Sequence, residues 1–136
     1  MPELRTTCFA ARSFAKNDWK VRGLTVEEAQ LRRLQVQDIP GAMALKDAAG
    51  WNQTEDDWRI FLELEPESTL ALEKEGKVIA TCRAATYGES SGATAHVEPF
   101  GWVGMMLVHP DERRKGHGTR MLRAAVELLE GRGAIP

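Results

Sequence analysis

Residues 107–122 read LVHPDERRKGHGTRML, and they join two segments of different periodicity. Ahead of them, Trp102-Val103-Gly104-Met105-Met106-Leu107-Val108 is an apolar, partly β-branched run that predicts a buried strand. Behind them, Met121, Leu122, Ala125, Val126, Leu128 and Leu129 recur at the i, i+3, i+4, i+7 spacing of an amphipathic helix. Pro110 ends the strand because it has no N–H to donate, and Asp111-Glu112 open a polar turn. The unit is therefore strand, basic glycine-bearing loop, helix.

Gly116 and Gly118 let the backbone approach a ligand closely. The free N–H groups of the helix's first turn, with the positive end of its dipole, predict a site for a phosphate-like anion. Arg113, Arg114, Lys115 and Arg120, with His117 if protonated, add positive charge there, in a chain whose formal net charge is -2. Two familiar phosphate loops do not fit. A P-loop needs G-x-x-x-x-G-K-[ST] and a dinucleotide fingerprint needs G-x-G-x-x-G; the run Gly116-His117-Gly118-Thr119-Arg120-Met121 supplies only the first two glycines of the latter. Arg113-x-x-Gly116-x-Gly118, placed after Val108-His109-Pro110, resembles instead the acyl-CoA pyrophosphate loop of the GNAT N-acetyltransferase superfamily, whose signature is Arg/Gln-x-x-Gly-x-Gly/Ala.

Composition sets the frame. At 136 residues the chain is one domain that can bury a core without staples. No apolar run approaches the roughly 20 residues of a membrane span, and the start, Met1-Pro2-Glu3-Leu4-Arg5, is unlike a secretory signal. Cys8 and Cys82 lie far apart and fit no metal spacing, which predicts reduced thiols and a cytoplasmic protein. His96, His109 and His117 also lack ligand spacing, so no metal site is expected. The charge balance gives no argument for nucleic acid, and the basic residues concentrate on one loop rather than along a face with interleaved aromatics.

Residues 1–30 read as an N-terminal extension, with Thr25 and Glu28 as the ends of a capping box. The domain proper is placed at 31–136. Leu31 to Val36 begins to alternate, with Leu34 and Val36 on one face, and predicts a first strand. Asp38 as N-cap and Pro40 early predict a helix to about Ala49, stopped by Gly50. Thr54 caps a second helix with an acidic first turn, Glu55-Asp56-Asp57, and a buried stripe of Trp58, Phe61 and Leu62 that ends at Pro66. Thr69 to Lys74 and Lys77 to Thr86 are strands about the turn Glu75-Gly76, and Tyr87 to Pro99 reads as a longer connection. The class is α+β in the order β-α-α-β-β-β-α.

That order is the GNAT order from its first strand through its third helix. The resemblance implies a mixed, mainly antiparallel sheet with flanking helices, and it covers about residues 31–133. It also implies that the usual last strand-helix-strand is lacking before Pro136. In the family, acyl-pantetheine lies where the central strand splays from the next one, and a tyrosine from the fourth helix often protonates the leaving thiolate. Tyr87 does not occupy that position. The central strand would then expose an edge. The first expectation is a homodimer in which a second copy covers it; the others are cover by the N-terminal extension, or a truncated product with impaired activity.

The resemblance further implies transfer of an acetyl group from acetyl-CoA, as cosubstrate, to an amine. It places the main-chain N–H groups of Arg114, Lys115, Gly116, His117 and Gly118, the Thr119 hydroxyl and Arg113 on the pyrophosphate, with Met106, Leu107 and Val108 along pantetheine. The family often carries a carboxylate base early in the central strand. Here Glu98 and His96 are the candidates, against ordinary solvated loop side chains. Trp51 and Asp56, in the two-helix region, are candidate contacts for a cationic acceptor, against packing and capping roles. A non-catalytic acyl-CoA-binding or regulatory module is the alternative, and the acceptor amine stays open.

Overall fold

The computed structural model describes residues 29–88 and 98–134. Their elements are β1 (Gln30–Arg33), α1 (Ile39–Ala48), α2 (Glu55–Leu64), β2 (Thr69–Lys74), β3 (Lys77–Tyr87), β4 (Phe100–Val108) and α3 (His117–Gly131), with 3-10 turns at Val36–Asp38 and Pro110–Glu112. The order is the one read from the sequence. The strands form a single sheet, β1-β2-β3-β4, and every pairing in it is antiparallel. The extension 1–28, with its capping box and Cys8, and His96 lie outside the described residues.

The hairpin between β2 and β3 turns on Glu75 and Gly76, at φ 51 and 76. Both central residues of a type I′ turn need positive φ, which is why this dipeptide gives a tight hairpin. β3 is an inner strand, and Ile79 to Ala85 along it are all buried. Helix α3 packs on one face through Met121, Ala124, Ala125 and Leu129, against Leu70, Leu72, Cys82 and Ala84. Helices α1 and α2 cover the other through Ile39, Ala42, Leu45 and Trp58, against Ala71 and Leu107. The sheet is thus sealed on both sides, which a four-stranded sheet needs to bury its apolar residues.

Three expectations are corrected. The first strand is shorter than 31–36: Asp38 takes the Gln35 N–H at 2.7 Å and pairs with Arg32 at 2.6 Å, turning the chain so that Leu34 is buried while Val36 is left exposed. The Asp38 side chain therefore caps the preceding turn, not α1, whose N-terminus it makes no side-chain bond to. Leu122 is exposed on α3 and Ala124 takes the place in the stripe, because α3 rests closely on β4. A Cβ on Gly101 would stand 2.6 Å from the Leu129 side chain, so any larger residue there makes Leu129 repack. The other features hold. Thr54 and Asp57 form a reciprocal capping box on α2. Gly133 at φ 71 ends α3, with Gly133 N–H to the Glu130 carbonyl at 3.0 Å and Ala134 N–H to the Leu129 carbonyl at 3.1 Å, a Schellman motif.

One irregularity positions the site. Thr81 stands opposite Leu107 but Arg83 stands opposite Gly104, so β4 spends two residues, Met105 and Met106, where β3 spends one. Met105 sits at φ 51, and its carbonyl accepts from Thr81 Oγ1 at 2.8 Å. A methionine in the left-handed region stores about 1 kcal/mol or more, so the bulge is held by its surroundings.

Candidate functional site

Beyond the bulge, β4 runs regularly to its end. His109 gives its N–H to the Ile79 carbonyl at 2.8 Å, so by antiparallel alternation Leu107 faces β3, while Met106 and Val108 turn their polar groups the other way. Among the described residues no strand pairs with that side. The Val108 carbonyl there accepts from Arg113 Nε at 3.1 Å, which ties the loop back to the strand.

The loop is built to deliver a helix start. Pro110 begins a 3-10 turn whose cap is His109 Nδ1, accepting from Asp111 N–H at 3.2 Å. Arg114 and Gly116 then take φ of 64 and 83. Gly116 is the N-cap of α3 and brings no side chain to it. The N–H groups of the first turn lack intrahelical acceptors, so they point out of the protein with the dipole behind them.

Charge is arranged differently from the sequence expectation. Glu112 sits among Lys115 at 3.1 Å, Lys74 at 3.2 Å and His117 Nε2 at 3.5 Å. Its bonds to Lys115 and Lys74 hold it below the usual carboxylate range. Arg120 is not at the anion site: it donates to the Ala29 carbonyl at 2.8 Å, and burial lowers its pKa. Arg114 is exposed and has no ion-pair partner among the described residues, so its charge is the least engaged in the loop.

A cleft of about 700 Å³ joins these parts. It runs from Met106 and Val108 to Gly116, Gly118 and Thr119, and its other wall is Ala48, Ala49 and Trp51, at the end of α1. Of the cosubstrate candidates, Met106, Leu107, Val108, Arg113, Arg114, Gly116, His117, Gly118 and Thr119 all line it. Lys115 does not, because it turns to Glu112. Trp51 lies in the cleft wall, whereas Asp56 is exposed on the first turn of α2 and is not part of it. Glu98 is exposed ahead of β4, and Phe100, where β4 starts, is already roughly 20 Å along the strand from Met106. Sequence reasoning missed Ala48 and Ala49, which carry no chemical signal, and the Met105 bulge with its Thr81 bond. Cys82 offers no nucleophile, since burial pushes its thiol up to about 12.

His117 is 3 % exposed, and its pKa is lowered, chiefly by burial, with Glu112 opposing. The folded protein therefore binds fewer protons at this ring than the unfolded chain, whose histidine titrates near about 6.5. Stability must fall as pH drops from about 6.5 towards the lower folded-state value. Between pH 7.5 and 5.5, above the range of the depressed carboxylates, the urea midpoint should decline in the wild type and decline less in His117→Gln. An equal decline in both would remove His117 as the cause.

The family model for the acetyltransferase (GNAT) family matches residues 30–135. The chain belongs to that family. No curated protein sequence matches this GNAT chain. Among solved structures, glucosamine-6-phosphate N-acetyltransferase from Arabidopsis thaliana aligns at TM-score 0.63 and 14% identity, over 78% of this chain and 77% of that one. A Clostridium acetobutylicum protein classed as an acetyltransferase, with acetyl-CoA in its structure, aligns at 0.60 and 17%, over 78% and 76%. A Pyrococcus horikoshii protein of the same class aligns at 0.63 and 20% over 84% of this chain, which spans only 38% of that chain's length. At these identities the correspondence is one of fold. No helix among the described residues is long and apolar enough to cross a membrane.

Proposed function

We propose that this GNAT domain is an N-acetyltransferase that moves the acetyl group of acetyl-CoA to an amine of a small molecule or protein. The observation that carries the reading is the single cleft that joins the open side of β4 to the uncapped first turn of α3. Its donors suit that cosubstrate. Main-chain N–H groups at Gly116, His117 and Gly118, the Thr119 hydroxyl and the Arg114 guanidinium are all donors, fit for a pyrophosphate. A Cβ on Gly118 would meet only Val108 Cγ2, at 3.8 Å, so this wall leaves room for phosphate oxygens. The outward polar groups of Met106 and Val108 match the amides of pantetheine.

In the transfer, the lone pair of a neutral amine forms the C–N bond and the C–S bond breaks. The amine loses a proton, and the departing thiolate gains one. A main-chain N–H at the Met105–Met106 bulge would stabilise the negative charge that develops on the carbonyl oxygen. Water takes the amine's proton; Glu98, at the far end of β4, is not placed to assist, and no described carboxylate is assigned as the base.

Calorimetric titration with acetyl-CoA, followed by an amine panel read through release of the CoA thiol, tests this. Binding with thiol release establishes the enzyme. Binding without release by any amine favours an acyl-CoA-binding module, a reading supported by the absence of any cleft carboxylate or imidazole besides Glu112 and His117 among the described residues. A folded chain that binds no acetyl-CoA sinks both.

We also propose a second copy of the chain covering the open edge of β4 at its Phe100 end, away from the cleft, where the exposed rings of Tyr87 and Phe100 stack at 5.4 Å. Light scattering at micromolar protein should give a two-chain mass; a one-chain mass rejects it.

A further inference from the structure

Four polar side-chain atoms are buried with no partner among the described residues: Gln53 Oε1, Trp58 Nε1, Thr69 Oγ1 and Arg83 Nε. They are gathered in one region. Gln53 precedes α2, Trp58 lies in it, and Thr69 and Arg83 stand opposite each other on the strands beneath. Arg83 is the member that needs an explanation. It is a cation, 8% exposed, within the buried run from Ile79 to Ala85 of β3. Its guanidinium lies over the Phe61 ring at 4.6 Å, and the nearest carboxylate oxygen, of Glu65, is 3.8 Å away, beyond hydrogen-bond range. A guanidinium carries five N–H donors, and a buried one short of acceptors is costly. Phe61 and the long ion pair to Glu65 meet part of this need, and a ligand that accepts from Nε would meet the rest.

Its place in the sheet indicates which ligand. Arg83 is paired with Gly104, the residue before the Met105 bulge. Gly104 presents no side chain, and Trp102, two residues back on the same face, brings its indole Nε1 to 3.1 Å from where a Cβ of Gly104 would stand. The Trp102 indole thus lies over Gly104, and a cation and an N–H donor share one face of neighbouring strands beside the bulge.

We propose that Arg83, with Trp102, binds a carboxylate carried by the acceptor close to its amine, so that the acceptors are amino acids or chains with a free carboxyl group near the reacting nitrogen. This inference rests on the acetyl-transfer reading. Arg83 belongs to the strand next to the bulge, with backbones about 4.8 Å apart, so a single small acceptor would have to carry both the carboxylate and the amine. Arg83 positions the acceptor and takes no proton.

The test is acetyl transfer to the proteinogenic amino acids and to their amides, by wild type, Arg83→Gln and Arg83→Lys. Wild type should prefer the carboxylate form, and Arg83→Gln should lower kcat/KM for it by about 10- to 100-fold while the amide changes less than about threefold. Arg83→Lys, which keeps the charge, should recover part of the loss. A wild type indifferent to the carboxylate overturns the proposal. So does equal loss on both acceptors with a lowered melting temperature, the result of a purely structural arginine. Faster transfer of succinyl than acetyl to amide acceptors would put the anion in the acyl group and overturn the acceptor assignment. If no amine turns over, the Trp102 indole and Arg83 Nε–H resonances, followed by NMR in the CoA-bound protein, decide separately. Shifts with L-alanine and not L-alaninamide keep the site while the transfer reading falls, and no shift with either overturns it.

Discussion

Gly118→Trp is expected to weaken acetyl-CoA binding by about 100-fold or more, a loss of about 2.7 kcal/mol, and to leave the fold intact. Gly118 is the second residue of α3 and lines the cleft. A Cβ there meets nothing closer than Val108 Cγ2 at 3.8 Å, so an indole can grow from it without moving the backbone. It grows into the space between the first turn and β4, covering the N–H groups that an anion would use. Gly116 is the less clean target. A side chain there meets no atom within 4 Å, but φ of 83 strains any L residue by roughly 1–2 kcal/mol. Gly116→Ala should therefore lower the melting temperature and disturb the start of α3 together. Calorimetric titration beside a thermal melt separates the two cases. A folded Gly118→Trp chain that binds acetyl-CoA as tightly as wild type would mean that the pyrophosphate does not sit on this turn.

The segments legible in the sequence are those where local chemistry decides alone. Thr54 with Asp57 fixes the start of α2 and Glu75-Gly76 fixes a hairpin, because caps and turns depend on neighbours in the chain. The glycine loop was legible for the same reason, and its residues other than Lys115 line one cleft. What escaped depends on partners distant in sequence. Val36 alternates correctly for a strand, but Asp38 and Arg32 turn the chain before it. Arg120 reads as loop charge, but the Ala29 carbonyl takes it. Nothing in Gly104-Met105-Met106 announces a bulge, which arises only when β4 is laid against Thr81 and Arg83. For Glu98, position in sequence did not give position in space: it precedes β4 at the end remote from the cleft.

Trp58→Ala should cost about 3–5 kcal/mol, a large part of the roughly 5–15 kcal/mol that holds a domain folded. Trp58 is fully buried among Leu34, Ile39, Leu45, Ala71 and Leu107, and meets Phe61 edge-to-face at 6.1 Å. Removing it leaves a cavity between α2 and the sheet that neighbouring helices cannot fill without losing their own contacts. Trp58→Phe is the informative companion. It keeps a ring against Phe61 and deletes Nε1–H, a buried donor with no partner among the described residues. An unpaired buried donor costs about 1–3 kcal/mol, which offsets the lost volume, so Trp58→Phe should cost under about 1.5 kcal/mol. Urea midpoints at unchanged m-value measure both. A phenylalanine variant as unstable as the alanine one would show that the indole N–H is satisfied in solution. The two helix layers should also separate functionally. Trp58 seats the helix that carries Phe61 over Arg83, whereas the first turn of α3 lies across the sheet. A Trp58 variant still folded at low temperature should therefore hold acetyl-CoA with near wild-type affinity while discriminating poorly between carboxylate and amide acceptors. Loss of acetyl-CoA affinity in step with stability would instead make the domain one cooperative unit with no such division.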